Sequence, residues 1–126
     1  MLLYVTLGTN DIHRAGHFYD AVLTGLGYRR QRDSEEEIGY AADGDTRCRL
    51  WIVTPFNRRA SSIGNGSMVA LEAVSRAAVD AFHEAALAHG GIDEGAPGLR
   101  SYHANFYAAY VRDPDGNKIC AVCERP

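Results

Sequence analysis

The chain has 126 residues, a formal net charge of −3, an apolar share of 46% and a charged share of 23%. That length and balance suit one soluble globular domain able to bury its own core. Acidic and basic residues are interspersed, so no basic block marks a nucleic-acid footprint, and no apolar run approaches the roughly 18 residues a membrane helix needs.

The opening Met1-Leu2-Leu3-Tyr4-Val5 carries no charged leader and soon meets Thr9-Asn10-Asp11. It reads as a first strand over Leu2 to Gly8 rather than a signal peptide, with the cytoplasm as the expected location. Asn10-Asp11 offers a helix N-cap. Ile12, Ala15, Phe18, Tyr19, Val22, Leu23 and Leu26 then recur at helical spacing until Gly25 and Gly27. Tyr28 to Gln31 reads as a short strand and Asp33 to Glu37 as an exposed acidic turn. Ile38 to Ala42 and Arg47 to Thr54 follow as two strands joined by Asp43-Gly44-Asp45. The pairs Arg29-Arg30 and Arg58-Arg59 read as solvated loop charge. Pro55 to Gly66 has no periodicity and reads as a linker.

The pattern then restarts. Ser67 to Ala73 is a strand, Ser75 an N-cap, and Val79, Phe82, Ala86 and Leu87 a helical stripe ending at Gly90-Gly91. Ile92 to Glu94 reads as a brief strand, followed by a Gly, Pro and Ser-rich loop to about His103. Asn105 to Arg112 and Lys118 to Glu124 are strands around Asp113-Pro114-Asp115-Gly116-Asn117. Sliding the chain by 64 residues puts Tyr4 on Met68, Leu7 on Leu71, Asp11 on Ser75, Phe18 on Phe82 and Leu23 on Leu87. The spacing implies an α+β domain built from two βαβββ repeats, 1–57 and 64–126.

Cys48, Cys120 and Cys123 cannot all pair, and reduced thiols are expected. Cys120-Ala121-Val122-Cys123 has the C-x-x-C spacing of redox and metal sites. On a strand, however, residues three apart point to opposite faces, which argues against a shared role. By the same alternation Cys48 should face away from Arg49 and Trp51. His13 and His17, four apart on a polar helix stripe, read as exposed, as do His83 and His89.

Tyr4 to Asp11, Phe18-Tyr19 and Leu26-Gly27-Tyr28 resemble the opening of the vicinal oxygen chelate superfamily, which spans glyoxalases, bleomycin resistance proteins and dioxygenases. Asp113 to Ile119 is similar to that family's penultimate turn, and Gly66 to Glu72 sits where its second module starts. The resemblance implies a half-open barrel of mixed sheet. It also implies a divalent-metal site with one ligand from the first and the last strand of each module, usually His or Gln, Glu, His and Glu. Those positions fall on Tyr4, Trp51, Met68 and Cys120. Phenol, indole, thioether and thiol are poor ligands for a hard divalent ion, so no metal and no other cofactor is expected.

The reading that follows is a glyoxalase/bleomycin-resistance-like protein that binds a small molecule in the barrel. The alternative is a lyase, isomerase or dioxygenase using substituted residues, and whether the chain is an enzyme stays open. Candidate ligand-binding residues are Tyr4, Trp51, Met68, Cys120, Arg49, Glu72, Tyr102 and Tyr107. His103, in a segment expected over the barrel mouth, is the candidate general acid or base. Large side chains at these positions could also simply plug the cavity. A homodimer is implied by resemblance, with modules pairing within one chain or exchanged between two. Neither nucleic acid nor membrane is expected as a partner.

Overall fold

The structure is a computed structural model and describes residues 1–126. Each half is a four-stranded mixed sheet backed by one helix. The first holds β1 (Val5–Gly8), α1 (Ile12–Thr24), β2 (Tyr28–Asp33), β3 (Glu37–Ala42) and β4 (Cys48–Val53), in the spatial order β1-β4-β3-β2. The second holds β5 (Val69–Glu72), α2 (Arg76–Ala88), β6 (Ile92–Leu99), β7 (Tyr107–Arg112) and β8 (Lys118–Cys123), in the order β5-β8-β7-β6. In both, the first strand runs parallel to the last and the other neighbours are antiparallel. This is the α+β glyoxalase-like fold, with two sheets that do not close.

Local chemistry explains the elements. The Asp11 carboxylate accepts the Arg14 N–H at 3.0 Å and the Ser75 hydroxyl accepts the Ala78 N–H at 3.1 Å, so each helix begins on an N-cap of matching position. The apolar stripes then bury Phe18, Tyr19, Val22 and Leu23 on α1 and Val79, Phe82 and Ala86 on α2. They meet Ile38, Tyr40, Leu50 and Ile52 from the first sheet and Ala109, Val111, Ile119 and Ala121 from the second in one continuous core. β1 and β5, the caps and the helices keep the 64-residue spacing. The later strands start 70 apart, Glu37 and Tyr107, Cys48 and Lys118.

The extra length sits around β6, where the structure departs from expectation. The Gly and Pro-rich stretch is not a loop but the continuation of an eight-residue strand, Ile92–Leu99. It lies at a sheet edge and slips register twice, between Asp93 and Gly95 and between Gly95 and Gly98. A strand with only one neighbour tolerates Pro97, which has no N–H to donate. Other corrections are smaller. β1 begins at Val5, β2 runs on to Asp33, and Arg29 and Arg30 lie inside that strand and are not loop charge. Arg30 faces α1 and forms an ion pair with Asp20 at 2.7 Å, while Arg29 lies 3.6 Å from Asp43. The segment from Pro55 to Met68 holds no helix or strand.

A buried polar joint ties the halves together. The Tyr19 hydroxyl donates to Asp113 Oδ2 at 2.6 Å. Asp113 is 2% exposed, and its other oxygen accepts the N–H groups of Asp115 and Asn117, both at 2.9 Å. Asn117 Nδ2 donates to Asp113 and to the Gly8 carbonyl, each at 2.9 Å. Asp115 accepts from the Thr9 hydroxyl at 2.6 Å, the Asn10 N–H at 2.9 Å and the Arg14 guanidinium at 2.9 Å. Gly116 takes φ +92, which lets the turn close. The Asp-Pro-Asp-Gly-Asn motif is therefore a clasp on the start of α1 as well as a turn. Burial and the Asp113 charge together push the Tyr19 hydroxyl well above its usual range.

Candidate ligand-binding site

Each sheet has a helix-covered face and an open face. Register defines which residues share the open one. Thr6 pairs with Trp51 in the first half and Ala70 pairs with Cys120 in the second, and Thr6 and Ala70 are themselves 64 apart. Trp51 and Cys120 therefore occupy equivalent places.

The first open face is built around a glycine. Gly39 lies directly across from Trp51, and a Cβ there would come within 2.8 Å of the indole and 2.7 Å of Cys48 Sγ. Cys48 thus shares the open face with Trp51, contrary to simple alternation. The reason is a register shift between Tyr40 and Ala41: Cys48 pairs with Ala41 and leaves Arg49 as the extra residue of a bulge. A second shift between Arg30 and Arg32 sets Arg32 across from Gly39, on the same side. A hollow of about 400 Å³ here is lined by Leu3, Tyr4, Thr46, Arg47, Cys48 and Trp51. Burial raises the Cys48 thiol pKa, opposed by the nearby Arg32 charge.

The second open face is filled. Ala108, Cys120 and Val122 form a small buried cluster under Phe106 and Tyr110. Cys120 is 1% exposed, and desolvation pushes its thiol up to about 11. Cys123, three residues on, belongs to the helix-side core, so the two thiols point apart and all three cysteines are free.

Between the sheets, the edges of β1 and β5 border a cleft of about 700 Å³, lined by Leu2, Tyr4, Thr6, Met68, Ala70 and Ile63 among others. Arg49 and Lys118 are its charged residues, and no carboxylate lines it. Tyr4, 53% exposed, reaches this cleft, the Trp51 hollow and a third recess of about 780 Å³ beneath the 55–62 segment.

The expected residues therefore divide. Tyr4, Met68 and Arg49 share the cleft, and Tyr4 reaches Trp51 through the neighbouring hollow. Cys120 lies apart under its aromatic cover. Glu72 is exposed at the outer end of β5, away from these cavities. Tyr107 turns to the helix side, where its hydroxyl donates to Asp80 at 2.6 Å and Arg76 stacks on its ring. Tyr102 is exposed and meets Phe106 edge-on at 4.8 Å between centroids. His103 fastens the same loop. Its Nδ1 accepts the Asn105 N–H at 3.1 Å within the loop, and Nε2 sits 2.6 Å from Glu124 just past β8, so both ring nitrogens are engaged. Arg32 and Cys48 are the open-face residues that alternation missed, because two bulges reset the period, and Arg47, just ahead of β4, lines the same hollow as Cys48. His13, His17 and His89 are exposed and His83 half-buried, and no group of three His, Cys, Asp or Glu side chains converges anywhere.

The sequence profile of the Glyoxalase/Bleomycin resistance protein/Dioxygenase superfamily matches residues 1–121. The chain belongs to that superfamily. A glyoxalase/bleomycin resistance protein from Albidiferax ferrireducens T118 is 39% identical, with 100% of this chain and 99% of that one covered at a TM-score of 0.87. A glyoxalase-related enzyme from Fulvimarina pelagi shares the fold at 20% identity, 98% and 87% coverage and a TM-score of 0.75. So does a glyoxalase/bleomycin resistance protein/dioxygenase family enzyme from Burkholderia phytofirmans PsJN, at 21% identity, 98% coverage of both chains and a TM-score of 0.73. No curated protein matches the chain. The donor set at the family's four metal positions does not fit a hard divalent ion. Tyr4, Trp51 and Met68 offer phenol, indole and thioether, and the Cys120 thiol is buried and held protonated.

Proposed function

We propose that this superfamily member binds a small molecule in the cleft between β1 and β5 and the adjoining Trp51 hollow, without a bound divalent metal. The observation that carries this reading is the position of Tyr4, at the meeting point of an apolar cleft of about 700 Å³ and a hollow containing Trp51. A volume of that size suits a small organic ligand, and aromatic and thioether walls provide adaptable contact area.

A homodimer is part of the same proposal. The accessible surface is 7374 Å², against roughly 6600 Å² for a compact monomer of this mass. Leu2, Leu3, Ile63 and Met68 are exposed along the cleft, and the free edges of β1 and β5 border it. A second copy placed over the open faces would cover that apolar surface.

The test is a thermal-shift screen of small organic ligands on protein of measured metal content, before and after chelation. Stabilisation that survives chelation and is lost in Tyr4→Ala is expected. Stoichiometric nickel, zinc, iron or manganese that disappears in Met68→Ala or Cys120→Ala would overturn the metal-free reading. Sedimentation of the same samples reads the dimer.

A further inference from the structure

Of the thirteen Lys and Arg residues of this acidic protein, five hold a carboxylate partner and eight make no ion pair. The five are Arg14, Arg29, Arg30, Arg58 and Arg112. Three of the unpaired eight lie near Trp51: Arg32 on β2 pairs with Gly39, the residue across from Trp51, Arg47 lines the Trp51 hollow just ahead of β4, and Arg49 is the bulge residue of β4. Arg49 spends one N–H on the Leu3 carbonyl at 3.3 Å and lines the cleft with Lys118. The nearby acid, Asp45, is engaged by the backbone N–H groups of Thr46 and Arg47, at 2.7 and 3.1 Å. On the second sheet the comparable cations are already used: Arg100 and Lys118 lie over the Tyr110 ring at 5.3 and 5.7 Å. Neither the cleft nor the hollow has a carboxylate in its lining.

Unpaired guanidinium groups around an aromatic face have a specific use. Each guanidinium can donate paired N–H bonds to the two oxygens of a carboxylate or phosphate. The indole offers a stacking surface for a flat ring. Its position over Gly39 matters, because that glycine leaves room for the ring to lie against the strand. A local excess of positive charge on a chain of net −3 also draws anions toward this face.

We infer that the ligand is a planar molecule bearing an oxyanion, carboxylate or phosphate, with its ring on Trp51 and its charge held by Arg32, Arg47 and Arg49. This rests on the small-molecule reading above and names the ligand class for that site.

Trp51 is the only tryptophan, so its fluorescence reports on this site alone. Four nitroaromatic quenchers of similar shape make the test: 4-nitrobenzoate, 4-nitrophenyl phosphate, neutral 4-nitrobenzamide and cationic 4-nitrobenzylammonium. One or both anions should quench saturably, at least about tenfold tighter than the amide, and the preference should weaken with added salt. The better of the two anions identifies the headgroup. Arg32→Gln and Arg47→Gln, both at exposed positions without ion-pair partners, should each reduce anion affinity several-fold and leave amide affinity unchanged. Arg59→Gln, on the 55–66 segment and outside all three cavities, should change neither. If the amide or the ammonium binds as tightly as the anions, the oxyanion inference falls while small-molecule binding stands. If no probe of any charge saturates, both fall. Anion binding that survives both Arg32→Gln and Arg47→Gln would also overturn the assignment.

Discussion

The two halves agree on their helix-covered sides and invert on their open sides. In the first half a glycine, Gly39, faces the large Trp51. In the second, large Tyr110 faces the small Cys120. Cross-strand space is filled in both cases, with the bulk on opposite strands. The consequences differ: the first arrangement presents an indole with free arginines around it, and the second covers a thiol and occupies its cations on the covering ring. The terminal hairpin turns diverge as well. Asp43-Gly44-Asp45 stays exposed and caps itself, whereas Asp113 to Asn117 is buried against β1 and α1. One scaffold used twice has placed adhesion in one copy and an accessible aromatic face in the other.

The largest expected effect separates the turns. Asp113→Ala removes the acceptor for the buried Tyr19 hydroxyl and for two backbone N–H groups. A loss of about 3 kcal/mol in urea unfolding is expected, because several buried donors are left without partners at once. Asp43→Ala breaks only an exposed ion pair of 3.6 Å and should cost less than about 1 kcal/mol. Equal losses at the two sites would show that the joint contributes no more than a surface turn.

Gly39→Ala sharpens the contrast between the open faces at intermediate size. The new methyl would meet Cys48 Sγ and the Trp51 ring at distances that side chains do not adopt. The ring must lift, and a cost of about 1–2 kcal/mol follows from overpacking. A shift in Trp51 emission should accompany it, together with weaker quenching by planar ligands. Unchanged emission would mean the indole does not rest on this glycine.

These contrasts also show what the sequence could and could not reveal. Periodicity, the caps Asp11 and Ser75 and the 64-residue spacing made the two halves and their helix-side core legible, since each depends on residues near one another in the chain. The joint was not legible. Tyr19 and Asp113 lie far apart in sequence, and Asp-Pro-Asp-Gly-Asn announces a turn without saying what the turn grips. The open face was half legible. Tyr4 and Met68 followed from the repeat, while Arg32 and Cys48 were hidden by bulges after Arg30 and at Arg49, each of which flips the period-two count. Tyr107 and His103 were singled out by composition, which does not distinguish the open side of a sheet from its helix side or from a loop tied to the end of the last strand.

At neutral pH the smallest expected effect belongs to Cys120, the counterpart of Trp51. Desolvation under Phe106 and Tyr110 raises its thiol from 9.0 to about 11. The folded state therefore keeps the proton where the unfolded chain has lost it. With the folded pKa raised, the stabilisation is complete below pH 9 and is lost as the pH rises toward 11. Tyr19 and Tyr40, also raised by burial, contribute to alkaline unfolding in the same direction, so the informative quantity is a difference. Cys120→Ala should be modestly less stable at neutral pH, from the lost sulfur contacts, and should lose less stability than the parent chain between pH 9 and 11. Thiol labelling gives an independent reading: in the folded protein Cys120 should resist a disulfide reagent at pH 8, and Tyr110→Ala should open it to attack. Labelling of Cys120 in the intact protein as fast as in denaturant would show that the second face is as open as the first, and the inversion between the halves would then be one of side-chain size without a difference in access.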